Sequence, residues 1–276
     1  MKTSRFALKG LNVLGLLIVI AIFATPFVWM AVTSVKSLSE TITFPPVWVP
    51  ETIRFENFAL AWDSGPFLRY FVNSLIVTLS ILVLQLFTIV PAAYAFARYR
   101  FFCSGLFALT MITLMIPTQL IFLPVYLQFS SWGLLDTHLA LILPFAANAF
   151  AIFMLRQTFK QVPEELLEAA RLDQASEWKI MYMVMVPMAK PTIITLLLFS
   201  FITHWNDYFW PLVMTTTDAS RTLPVGISAL TNVEGGVAWH IMMAGNMILV
   251  VPILIIFFYR TTSYYSCICV HRCEIT

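Results

Sequence analysis

A chain of 276 residues that is 60% hydrophobic and only 11% charged has too few polar side chains to cover a soluble surface, which excludes an ordinary water-borne domain. Its formal net charge of +2 calls for no nucleic-acid partner. The four cysteines are sparse, and none lies on the outer side of the topology that the Lys and Arg distribution sets, so no exported disulfide framework is implied.

A spanning helix takes about 20 apolar residues at about 1.5 Å rise each. In chain order six stretches qualify: 11–32, 70–97, 102–127, 139–155, 192–214 and 239–259. Hydrocarbon offers no partner to a backbone N–H or C=O, so each is predicted helical and the chain all-α and polytopic. The first follows a basic head, as in a cleaved leader, but its uncharged run continues to Val35, which favours an uncleaved span. Residues 33–69, with Pro45, Pro46, Pro50 and Trp48, read as an extended ledge with little regular helix. A turn at Trp132-Gly133 joins the third and fourth stretches, and 215–238 forms a second external segment. No internal repeat is visible, and one membrane domain over 1–276 is the economical reading.

Twelve of the sixteen Lys and Arg fall on one side of this topology, among them Lys2, Arg5, Lys9, Arg98, Arg156, Arg171 and Lys179. The positive-inside rule makes that side cytoplasmic, together with both termini and the segment 163–191. Pro26, Pro91, Pro117, Pro144, Pro211 and Pro252 each lie in or near a different stretch. Such prolines either bend the helices or serve as hinges between two openings. In the tail, Cys267, Cys269, His271 and Cys273 are spaced two apart, unlike the paired ligands of a zinc site, so no metal is expected.

The charged segment 163–191 stands out among the apolar stretches. Pro163 suits a helix start, where no amide donor is needed, and Glu164 and Glu165 sit at the positive end of the helix dipole. Leu166, Ala169, Ala170 and Asp173 recur at helical spacing, and the small pair Ala169-Ala170 permits close approach. Ser176 is placed to cap a second short helix through Trp178, Ile180 and Met181. A helix–turn–helix of this kind is either a solvated amphipathic loop resting on headgroups or a knob for a soluble partner.

Glu168-Ala169-Ala170, Asp173 and Pro187 resemble the EAA loop of ABC-importer permeases. Phe67–Ser74, Tyr94-Ala95-Phe96-Ala97-Arg98, Trp205-Asn206-Asp207 and Thr222–Gly226 are similar to further elements of that family, especially its maltose-type carbohydrate branch. The resemblance runs to about residue 258; from 259 to 276 the chain diverges, as a shifted reading frame or an altered terminus would produce. It implies a bacterial or archaeal inner-membrane permease with six spans. Glu164, Glu165, Glu168, Ala169, Ala170, Asp173, Gln174 and Ala175 would then receive the motion of a cytoplasmic ATPase. The implied partners are a second permease, two copies of the ATPase, which carries ATP and Mg²⁺, an extracytoplasmic solute-binding protein and a carbohydrate. One departure stands out: Gln174 replaces the family's glycine, where a non-Gly residue at positive φ costs about 1–2 kcal/mol.

Asp207 is the only carboxylate in a predicted span, and buried ionisable groups in membranes are functional by default. With Asn73, Trp205 and Asn206 it is a candidate to line a pathway. Interface anchoring for Asp207, and helix bridging for Asn73 and Gln85, are the plainer alternatives. No phosphate loop or catalytic triad is present, so no enzyme and no cofactor are expected in this chain. A self-sufficient secondary transporter and a non-transporting scaffold remain as rival readings. The first would ordinarily show mid-membrane charges and repeats, and the second leaves the charged loop without a purpose.

Overall fold

A computed structural model describes residues 2–99, 104–230 and 238–255. Every regular element among them is helical: α1 (Lys2–Ser34), α2 (Leu38–Ile42), α3 (Glu56–Asp63), α4 (Phe67–Arg98), α5 (Ser104–Thr113), α6 (Thr118–Ser131), α7 (His138–Ile142), α8 (Ala149–Lys160), α9 (Glu164–Leu172), α10 (Glu177–Ile180), α11 (Val186–Met188), α12 (Lys190–Trp205), α13 (Phe209–Met214), α14 (Leu223–Ala229) and α15 (Trp239–Ile255). A 3₁₀ turn, Leu143–Phe145, follows α7, and a π-helical turn, Met181–Met185, links α10 to α11. The divergent tail, with its Cys and His residues, lies outside the described residues.

The chain divides into two compact units, one formed by residues 1–68 and 223–276, the other by 69–222. In the first, α1 carries the 23-residue apolar run Asn12–Ser34, whose most apolar window is wholly unburied. The ledge after it is more regular than its prolines predict. Ser37 and Glu40 form a capping box that starts α2, and Glu40 also accepts from the Glu51 amide at 2.9 Å. Asn57, buried in α3, donates to the carbonyls of Ser34 and Lys36 at 2.9 and 2.8 Å. Lys36 is fully buried, bonded to the Val47 carbonyl and lying 4.2 Å over the Trp29 ring. These local caps explain the short helices, while the prolines keep 43–55 non-helical. In α15, a Cβ at Gly245 would meet Leu230 at 3.2 Å and Ile227 at 3.4 Å, so glycine permits the close approach of this helix to α14.

In the second unit α4 is an unbroken apolar helix of 32 residues despite Pro91. The third, fourth and fifth apolar stretches are not the continuous helices predicted for them. α5 and α6 meet at 95° before Pro117, α7 with its 3₁₀ turn and α8 meet at 40° near Pro144, and α10–α11 meets α12 at 79°. Proline removes an amide donor and blocks the preceding turn, which accounts for the breaks at Pro117 and Pro144. The fifth stretch ends as a helix at Trp205. Beyond it Asn206 turns back on the Ile202 carbonyl (2.8 Å), and Asp207 accepts from the Trp210 amide (3.3 Å) to open α13.

Among the described residues, two apolar clusters lie in this unit. One gathers Val77, Ile81, Phe129, Leu141, Trp210 and Met214, with the Trp210 indole donating to the Ala140 carbonyl at 3.0 Å. The other gathers Ile89, Ala93, Tyr94, Leu155, Phe159, Leu167, Ile180 and Met185 at the opposite end of α4. Gln85, buried between them, donates to the Phe145 carbonyl (2.9 Å) and accepts from Ser200 (2.6 Å), bridging three elements.

Asp136, in the turn between α6 and α7, clasps the segment after α13. Its carboxylate accepts from the Thr216 amide (2.9 Å), from the Thr217 amide and hydroxyl (3.1 and 2.6 Å) and from the Ser220 hydroxyl. Partial burial works to raise its pKa, but the bonds from Ser220, Thr217 and Thr216 outweigh it and hold the carboxyl below its ordinary value. A depressed folded-state pKa means the contribution is complete above the unfolded value, about pH 4, and is lost as the pH falls below it. Asp136→Ala is expected to destabilise the detergent-purified protein by about 1–2 kcal/mol at neutral pH. The gap from wild type should narrow progressively as melting is followed from pH 5 to pH 3.

Candidate functional site

The segment 163–191 folds as two short helices around a sharp turn. Pro163 precedes α9 at its N-cap, and Glu164 and Glu165 occupy the first turn, where the helix dipole favours negative charge. The C-terminus closes as a Schellman motif: the Ala175 amide donates to the Ala170 carbonyl at 3.1 Å, and the Gln174 amide to the Arg171 carbonyl at 2.9 Å. That motif requires a left-handed residue between them, and Gln174 adopts φ +56°. The backbone therefore keeps the geometry that glycine serves best, with glutamine bearing the strain. Ser176 then caps α10 as its spacing predicts, accepting from the Lys179 amide at 3.4 Å.

Burial sorts the residues of this loop. Leu167, which the periodicity did not single out, is fully buried among Phe159, Val162 and Ile180 and holds α9 to the core. Ala170 and Ala175, brought together by the Schellman turn, are half-buried against the same cluster. Glu164, Glu165, Glu168, Ala169, Asp173 and Gln174 are exposed, as are Leu166 and Leu172, the latter 84% accessible. The outcome is an anchored helix with an acidic, partly apolar face turned outward. It differs from the predicted face mainly in the inward turn of Ala170.

The loop is also held by polar contacts that sequence spacing gave no means of finding. Tyr94, in α4, donates from its hydroxyl to Glu177 at 2.5 Å, and Arg171 meets the other oxygen of the same carboxylate at 3.0 Å. Arg98 donates to the carbonyls of Phe159 and Val162 at 2.6 and 2.7 Å, completing the end of α8, and Arg156 donates to the Phe96 carbonyl at 3.0 Å.

The four candidate pathway residues occupy different settings. Asn73 is buried and bridging: its amide donates to the Ala219 and Arg221 carbonyls at 3.0 and 2.9 Å, and its oxygen pairs with His138 at 3.1 Å. Trp205 is fully buried, stacked on Phe201 and met edge-on by Phe71. Asn206 is exposed, whereas Asp207 is half-buried in a narrow cleft that it shares with Ser74, Thr78, His204 and Thr222. The structure thus brings Asp207 together with hydroxyl groups of α4, and not with the side chain of Asn73. A larger cavity of about 230 Å³ opens between α4, α8 and α12, with Gln85, Asn148, Ser200 and His204 set among apolar walls.

Residues 85–262 match the family described as the inner membrane component of binding-protein-dependent transport systems. The diacetylchitobiose uptake system permease of Streptomyces coelicolor is 33% identical over 257 residues, covering 92% of this chain and 84% of that one. The lactose transport system permease of Rhizobium radiobacter is 30% identical over 248 residues, covering 90% and 89%. A chain in the crystal structure of a bacterial ABC transporter that imports the acidic polysaccharide alginate superposes with a TM-score of 0.81 at 25% identity, over 94% of this chain and 97% of that one. Helical architecture and sequence agree, and the chain belongs to the binding-protein-dependent inner-membrane transport components as a permease subunit of an ABC importer.

Proposed function

We propose that this permease forms half of the pathway of an ATP-driven oligosaccharide importer and is driven through the loop 163–191. The observation that carries the reading is the outward face of α9: Glu164, Glu165, Glu168, Ala169 and Asp173 are exposed on a helix fixed to the core by Leu167. An exposed, rigidly seated helix transmits a push, whereas a mobile loop would absorb it. A cytoplasmic ATPase, in two copies and carrying ATP and Mg²⁺, is the partner for that face; Gln174 and the half-buried Ala170 and Ala175 shape its turn. A second, different permease supplies the other half of the pathway, and the family's dependence on binding proteins supports an extracytoplasmic solute-binding partner. The sugar class rests on the diacetylchitobiose, lactose and alginate systems to which the chain is similar.

Six spans fit this role. Among the described residues, two helices are long and apolar enough to cross a bilayer alone, and three bent pairs qualify when each is taken as one span. The 17 residues of α15 add a sixth of about 25 Å. The excess of Lys and Arg on the side of α9 supports cytoplasmic termini by the positive-inside rule. Asp207, with the buried hydroxyls of Thr78 and Thr222 beside it, is the group most suited to line the pathway.

The reading is tested by purifying the tagged protein from native membranes in mild detergent and identifying its partners by mass spectrometry. An ATPase and a second permease are expected; the chain alone, under conditions that preserve a known importer, would favour a secondary transporter or a scaffold. Glu168→Lys should abolish ATP-coupled uptake while leaving membrane insertion intact, and normal uptake in that variant refutes the coupling assignment. Gln174→Gly relieves about 1–2 kcal/mol of strain and returns up to about 1 kcal/mol as unfolded-chain freedom. It should therefore hold or slightly raise the melting midpoint and retain the ATPase. Gln174→Val, β-branched at positive φ, should lower the midpoint and release the ATPase more readily.

A further inference from the structure

Glu177 stands at the first position of α10, and each of its two carboxylate oxygens holds a different helix. Oε1 accepts from Arg171 Nε in the last turn of α9 at 3.0 Å. Oε2 accepts from the hydroxyl of Tyr94 in α4 at 2.5 Å. Tyr94 is itself 4% exposed, with its ring edge-on to Phe159 at 6.4 Å and to Tyr99 at 6.2 Å, so the hydroxyl is aimed by packing. It lies one turn beyond Pro91, where α4 has lost a backbone donor, and one turn before Arg98, which grips the end of α8.

The remaining contacts of α9 with the core, through Leu167 and Ala170, are apolar. Apolar packing seats α9 firmly, but its driving force has no preferred direction. A hydrogen bond to a carboxylate is short and directional, so the Tyr94–Glu177–Arg171 chain adds a defined line along which a displacement of the seated helix is passed on. We propose that Glu177 is a positioning residue that converts a displacement of α9 into a displacement of the end of α4, with Arg171 as its input and Tyr94 as its output. This rests on the reading of α9 as the face driven by an ATPase. Without the linkage the ATPase still docks and turns over, but the two ends of the importer no longer report to each other.

Linkage makes coupling between two sites reciprocal in binding free energy, while its effect on a rate has to be measured. Any stimulation of ATP hydrolysis by a solute-binding protein at the far end of the importer has to pass through α9, and should depend on the linkage. The complete importer is purified as wild type, Tyr94→Phe, Glu177→Ala and the double variant, and ATP hydrolysis is measured with and without the co-purified solute-binding protein added back. Tyr94→Phe keeps the packed ring and removes only the hydroxyl. It is expected to retain the ATPase subunits and a basal rate within twofold of wild type, and to lose at least fivefold of the stimulation. The double variant should be no worse than Glu177→Ala. Wild-type stimulation in Tyr94→Phe overturns the proposal, as does a loss of stimulation that only tracks loss of ATPase subunits, since the role is then structural. If wild type itself carries no ATPase or shows no stimulation, the coupled-importer reading fails and takes this inference with it.

Discussion

The second unit hangs on the polar side chains of one apolar helix. Helices in hydrocarbon gain little from hiding apolar surface from one another, so packing and hydrogen bonds must hold them together. α4 distributes its few polar groups accordingly. Asn73 holds the segment after α13 and pairs with His138, Gln85 holds the 3₁₀ turn and α12, and Thr88 reaches the Ala146 carbonyl at 2.7 Å. Tyr94 holds α10, and Arg98 the end of α8. Each partner is reached from a different height along the same helix, so loss of register along α4 would unseat several neighbours together.

That arrangement gives individual side chains of α4 different mechanical roles. The Asn73 amide goes to backbone carbonyls, which are fixed by the chain itself, while its oxygen pairs with the His138 ring. Tyr94 goes to a side chain that shares its charge with Arg171 on a neighbouring helix. The first is a staple and the second a relay. The 79° bend before α12 preserves its hydrogen bonding: the Ala189 amide still reaches Met185 and the Ile193 amide still reaches Ala189, both at 3.0 Å. The loop and α12 are therefore one continuous hydrogen-bonded path with a corner in it.

The sequence made the class of fold legible because 3.6-residue periodicity and hydrocarbon both demand helix, and the loop was legible because charge is conspicuous in an apolar chain. Its caps, Pro163 and Ser176, were local and readable. What stayed hidden was non-local. Leu167 and Leu166 are alike as residues, and only the position of Phe159 and Ile180 decides which of them is buried. The partnership of Tyr94 with Glu177 spans 83 positions and follows no pattern. The breaks in the third and fourth stretches had a visible cause in Pro117 and Pro144, yet Pro26 and Pro91 sit inside unbroken helices, so proline alone does not tell a kink from a corner. The ledge after α1 carries two short helices among its prolines because a capping box and Asn57 support them.

The unburied run of α1 bears on how the protein is made. A helix with none of its most apolar window buried draws much of its stability in the bilayer from its own backbone and from lipid. It can leave the ribosome, insert and take its orientation before any of the residues that build α4's network have been synthesised. The basic residues ahead of it are then a decision made early, and everything downstream is threaded to fit.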